Sequence, residues 1–237
     1  MNKSNNVENQ SLIPDFSIFV LGCLLQFVAI YWAVPLFSDK TRIMQLGSWM
    51  IISIPLIFLP ITMGGFILLR TEQSTQKLSE RLLLHKLTKK DWWLCLIGFL
   101  VMAVGSGITF KLCLMLGLNS NPPFARNAQA WTDGHFWMFG LWVIYWPINI
   151  LSENIVWRGI ILPRMEIRIG KSAWLLNAFM WGLFHLAFGL GNIIILLPTL
   201  LVVPYVAQKS RNTWTAVFLH ACLSFPGFVA LAFGMMK

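Results

Sequence analysis

Apolar residues in this chain come in long blocks separated by short polar links, without the sustained alternation a half-buried strand requires. The pattern predicts an all-α, polytopic integral membrane protein, a helical bundle of about seven (six to eight) transmembrane helices of about 20 residues each. The predicted spans cover residues 16–37, 43–69, 92–115, a fourth from 135 past 153 to a basic turn at 164–171, then 172–188, 192–207 and 213–236. Pro55 and Pro60 lie inside the second span and predict kinks held against neighbouring helices. Residues 1–14 read as a polar cytosolic tail. The first block reads as a retained span, because no short apolar region with a small-residue cleavage site follows the tail. One membrane domain covers residues 1–237, with no internal repeat.

Composition supports this reading. Of 237 residues, 57% are hydrophobic and 11% charged, and the mean hydropathy is +0.68. A soluble domain carries roughly 25% charged residues, so a water-soluble fold is excluded. The net charge of +9 would raise nucleic acid as a partner of a soluble protein. Here the basic residues sit mostly in loops, so they mark the cytosolic side and imply no nucleic acid. With seven spans and a cytosolic amino terminus, thirteen Lys and Arg fall on cytosolic segments and four on the other side. A multi-pass protein of the cell membrane is expected.

The densest charge lies in residues 70–91, with six basic and three acidic residues. Within it, LSERLLLHKL predicts a short amphipathic helix on the membrane surface, with Leu78, Leu82 and Leu83 as its apolar side. Trp92 and Trp93 then open the third span as an interfacial belt. Cys23, Cys95, Cys113 and Cys222 lie in apolar runs without paired spacing, as buried small hydrophobes rather than disulfides. His85 is expected to be exposed in the basic loop, and His135 interfacial.

Ionisable groups inside such a chain carry most of its functional information. Glu153, His185 and His220 are embedded in separate late apolar segments, where a polar group is costly and usually faces a bundle interior or cavity. A hairpin turning near Gly170 brings Glu153 and His185 to similar depth, since each residue of helix rises about 1.5 Å. Ser224 lies one helical turn beyond His220, and Arg158 one turn beyond Asn154. The residues predict a polar pocket opening toward the cytosol. A carboxylate with a histidine can activate water while a second histidine stabilises an oxyanion. The same Glu153, His185 and His220 could instead ligate a divalent metal such as zinc, or line an ion pathway. Composition leaves these three uses open.

At these residues the chain resembles the CAAX prenyl protease and bacteriocin-processing family of intramembrane proteases. Glu153-Asn154-Ile155-Val156-Trp157-Arg158-Gly159 resembles its EExxxRG motif, Trp181 to His185 its FxxxH motif, and His220 to Ser224 its HxxxN or HxxxD motif. The likeness covers approximately residues 78–225. It implies an endopeptidase acting on a peptide or protein tail among membrane lipids, at a site opening toward the cytosol. Glu153 and His185 would activate water there, with His220 and Ser224 at the oxyanion. It also implies bacteriocin maturation or self-immunity, with a bacteriocin or exporter as partner. A non-catalytic immunity or regulatory protein is the alternative. Three positions depart from the pattern: Asn154 replaces a glutamate, Trp181 a phenylalanine, and Ser224 an asparagine or aspartate. Asn154 cannot neutralise Arg158, whose stem is expected to snorkel to the interface or to anionic lipid. Trp181 is expected to be a mild change if it only packs.

Overall fold

The structure is a computed structural model that describes residues 11–72 and 74–235. Residues 1–10, including most of the expected tail with Lys3, and Lys237 lie outside the described residues. Seven hydrophobic helical segments run back and forth through the bundle. Five are long and apolar enough to cross a membrane: α1 (Ile13–Thr41), α2 (Gln45–Thr71), α3 (Lys89–Met115), α6 (Leu190–Ser210) and α7 (Thr213–Ala232). Between them, α4 is assembled from Trp137–Asn154, a π-helical turn Ile155–Ile161, and Leu162–Ile169. The shorter α5 (Ala173–Phe184) follows a tight Gly170–Ser172 turn. The all-helical multi-pass architecture is as the sequence predicts.

Proline shapes three of these helices in the same way. π-Helical turns occupy Ala29–Ala33, Ile54–Phe58 and Ile155–Ile161, and Pro35, Pro60 and Pro163 each follow two residues later. Proline cannot donate to the carbonyl one turn back and its ring crowds that carbonyl; a widened turn relieves the crowding without breaking the helix. The kinks expected at Pro55 and Pro60 are thus one π turn. In α4 this turn buries every residue from Val156 to Ile161. Trp157 is its anchor: it stacks on Phe19 of α1 at 4.2 Å between ring centroids and meets Phe184 of α5 edge-on. The buried Asn177 side chain donates to the Trp157 carbonyl at 3.0 Å.

Small residues let α3 approach α6 closely, as in membrane helix pairs generally. A Cβ on Gly105 would stand 2.8 Å from the ring of Pro198, and one on Gly98 would touch Val202, Val206 and Leu219. The opposite side of α3 exposes Trp93, Ile97, Val101, Val104, Ile108, Leu112 and Met115, a stripe at three- and four-residue spacing that faces lipid.

The two ends of the bundle differ in charge. One end holds Arg81, Lys86, Lys89, Arg164, Lys171 and Arg211; the other carries Lys40, Arg42 and Arg126. At the basic end, Arg164 of α4 reaches the fully buried Asp15 of α1 at 2.7 Å and also pairs with Glu72. Arg81 binds the same glutamate at 2.9 Å. The surface helix expected from LSERLLLHKL reduces to Leu78–Arg81. Leu83 adopts a left-handed backbone, φ 52°, and Leu82 is buried instead of lying on a membrane surface. The reason is pairing: Thr213 of α7 donates its hydroxyl to the Leu82 carbonyl at 2.7 Å and its N–H to the Leu83 carbonyl, while Asn212 bonds the His85 carbonyl. His85 itself is exposed, as expected; Cys95 and Cys113 are buried as expected, whereas Cys23 and Cys222 are half-buried, and all four thiols are free. His135 is half-buried near the other end and bonds Gln129.

Candidate active site

Glu153 sits in the last turn of the first part of α4, 2% exposed. Each carboxylate oxygen accepts one N–H: Oε1 from Asn149 one turn earlier, at 3.0 Å, and Oε2 from the Trp181 indole of α5, at 2.7 Å. Both oxygens keep a further lone pair free.

The two histidines are held in opposite tautomers. His185 closes α5, and its Nδ1 lies 2.9 Å from the Trp181 carbonyl. A carbonyl can only accept, so Nδ1 carries the proton and Nε2 is left as a base. His220 of α7 has its Nδ1 3.0 Å from the Asn154 side-chain nitrogen. That nitrogen also donates to the Ile150 carbonyl at 2.7 Å, which fixes the orientation of the amide. Asn154 therefore donates to His220 Nδ1, and the His220 proton resides on Nε2, making that nitrogen a donor. Ser224, one turn further along α7, accepts from the Trp146 indole at 2.8 Å and directs its own hydroxyl to the Ala221 carbonyl at 3.4 Å.

Arg158 departs from its expected place. It is 1% exposed and does not snorkel. The π turn points it into the bundle, and its guanidinium carbon lies 3.6 Å from the centre of the Trp181 ring. Within the described residues none of Nε, Nη1 or Nη2 has a hydrogen-bond partner. Guanidinium is the weakly hydrated cation best suited to stacking on an indole face, a contact worth about 2 kcal/mol when desolvated. Trp181 also meets His185 and His220 edge-on, each at 5.3 Å. It is therefore more than a packing residue. Sequence reading treated it as a mild change; the signal for its role was the indole N–H, which phenylalanine lacks.

Glu153, His185, His220 and Ser224 line one cavity of about 300 Å³, together with Asn149, Tyr145 and aromatic walls that include Trp49, Phe58, Phe188 and Phe228. Asn154 braces His220, while Arg158 lies behind Trp181 and is absent from the lining. The cavity extends away from the basic end, to Ser120, Asn121, Phe124 and Ala125 in the link between α3 and α4. Sequence reading expected an opening at the basic, cytosolic side. That side is filled: the link carrying Leu82 lies against Gly159 and Thr213, and the Arg164 pairs tie α4 to α1. Asn149 and Trp146 were not anticipated, although Asn149 at four residues before Glu153 was a legible helical pair.

The donor set does not fit a metal. Among the described residues no three His, Cys, Asp or Glu side chains come together as ligands. Of the two histidines only His185 offers an unprotonated Nε2, because the Asn154 donor leaves the His220 proton on Nε2.

Fold and cavity together define a polytopic helical membrane protein with a carboxylate–imidazole site buried within its bundle. Residues 135–225 match the model of the family described as Type II CAAX prenyl endopeptidase Rce1-like. All three motifs fall inside the matched segment, which bears out the family resemblance read from them. No curated protein and no solved structure matches the chain.

Proposed function

We propose that the chain is an intramembrane endopeptidase that hydrolyses a peptide or protein tail by general acid–base chemistry. The observation that carries the reading is the pair of opposed tautomers beside Glu153: a basic Nε2 on His185 and a proton-bearing Nε2 on His220, on one cavity. Water adds its oxygen to the scissile carbonyl carbon while Glu153, assisted by His185, takes the proton. The oxyanion receives the His220 Nε2–H. The captured proton then passes to the departing amine as the C–N bond breaks. Ser224 lines the cavity with its oxygen accepting from the Trp146 indole, so it acts as a braced wall residue rather than as a free donor. Asn154 and Arg158 serve as positioning residues, the first through His220 and the second through Trp181.

By the positive-inside tendency the basic end lies in the cytosol, in a cell membrane. On that orientation the cavity extends toward the opposite face, and a peptide reaches it from there. Maturation of a bacteriocin, or immunity to one, is the setting we infer from the motif resemblance, with a precursor peptide or its exporter as partner.

The test is cleavage of candidate peptides by purified protein in lipid nanodiscs, comparing the parent with Glu153→Gln, His185→Ala and His220→Ala. Each variant is expected to reach the membrane and lose product by roughly 100-fold or more. Cleavage at the parental rate by any of them refutes the assignment. Retained binding or protection by Glu153→Gln with no cleavage by the parent would instead favour a non-catalytic immunity or regulatory protein.

A further inference from the structure

A second, smaller cavity of about 60 Å³ lies beside the first, lined by Trp181, His185, Thr199, Leu200, His220 and Ser224 among others. A space of this size is roomy enough to hold water. Its one threonine is unusual. Thr199 is 2% exposed, and its hydroxyl has no hydrogen-bond partner among the described residues. A buried threonine on a helix normally bonds the carbonyl one turn back. Here that carbonyl, on Ile195, is approached at 3.4 Å by the hydroxyls of both Ser106 and Thr109 from α3.

A buried hydroxyl without a partner and two histidines thus line one small space. That meets the requirement for a buried water, namely room plus two to four polar partners. An apolar void would be expected to stay dry.

We propose that this chamber holds the water consumed in hydrolysis, with Thr199 as the positioning residue that presents it to His185 and His220. The inference rests on the endopeptidase reading and supplies what that reading needs, a water store within a site otherwise walled by aromatic side chains. Thr199 does not touch the peptide; it orients the water through its hydroxyl.

The test compares the parent with Thr199→Val, which keeps the shape, and Thr199→Ser, which keeps the hydroxyl. Crystals grown in a lipid mesophase should show water density in the parent and in Thr199→Ser, about 2.7–3.0 Å from the hydroxyl oxygen. Thr199→Val should lose that density. In peptide cleavage Thr199→Val should lower kcat roughly threefold to tenfold, the worth of one hydrogen bond, with KM unchanged. Thr199→Ser should restore kcat. A dry chamber in the parent, or parental kcat in Thr199→Val, overturns the proposal. Ordered water in a parent that cleaves none of the peptides overturns the endopeptidase reading, and with it the hydrolytic role, while leaving Thr199 as a hydration site.

Discussion

Trp181→Phe is the most informative single substitution, because it restores the residue of the motif while removing two observed contacts. The first is the 2.7 Å hydrogen bond from the indole to Glu153, of a kind worth about 1.5–3 kcal/mol when one partner is charged. The second is the indole face under Arg158 at 3.6 Å. Benzene holds a cation less well than indole, so some fraction of about 2 kcal/mol is lost there as well. Together these give a destabilisation of about 3 kcal/mol, or roughly 6–12 °C in Tm for a chain of this size. Circular dichroism in lipid nanodiscs measures the shift. Cleavage should fall more steeply, roughly 100-fold in kcat, because a carboxylate released on one side no longer points at the water. The double variant Asn154→Glu, Trp181→Phe places a carboxylate near Arg158 and should recover at least half of the Tm loss. If Trp181→Phe melts and cleaves like the parent, the indole is packing alone and the reasoning is refuted.

Other outcomes follow from separate contacts. Histidine-selective ¹⁵N NMR should find His185 protonated at Nδ1 and His220 at Nε2; the same tautomer on both would undo the proposed division of labour. Asp15→Asn removes one carboxylate from the fully buried end of the Arg164 pair and should destabilise by about 2–4 kcal/mol, less than a fully isolated buried ion because Glu72 remains. Gly191→Ala should be poorly tolerated: its Cβ would run into the Asn119 backbone oxygen, and relief of such overpacking costs about 1–3 kcal/mol, visible as a lower Tm. A cysteine at Ser120, introduced into a chain with Cys23, Cys95, Cys113 and Cys222 replaced, should react with a membrane-impermeant maleimide from outside intact cells. Labelling only after permeabilisation would reverse the proposed orientation.

The sequence was most legible where one physical effect dominates. Uninterrupted apolar length marked the spans, because a bilayer admits few other solutions, and scarcity of charge singled out Glu153 among its neighbours. The meeting of Glu153, His185 and His220 on one cavity followed from helix rise and a single turn. Effects that depend on helix rotation were not legible. Arg158 reads as a residue one turn from Asn154 on a regular helix, free to reach the interface; the π turn gives it another azimuth and buries it. The Leu82 link reads as amphipathic, yet long-range bonds from Thr213 and Asn212 decide its fate. The direction in which the cavity extends depends on contacts of the same long-range kind, Thr213 with Leu82 and Arg164 with Asp15.

The π turn at Ile155–Ile161 sets a phase as well as a bend. Closing it to α-helical pitch with all seven residues kept would turn everything after it by about 100° around the helix axis. Arg164, ten residues beyond the end of the Glu153 segment, would swing away from Asp15, while Glu153 kept its place. The turn thus acts as a fixed angular offset between two surfaces of one helix, one facing the cavity and one facing α1. A one-residue deletion within it can be absorbed by closing the turn to α-helical pitch, whereas a one-residue insertion cannot and should be far more damaging than any single replacement of Ile155, Ile160 or Ile161.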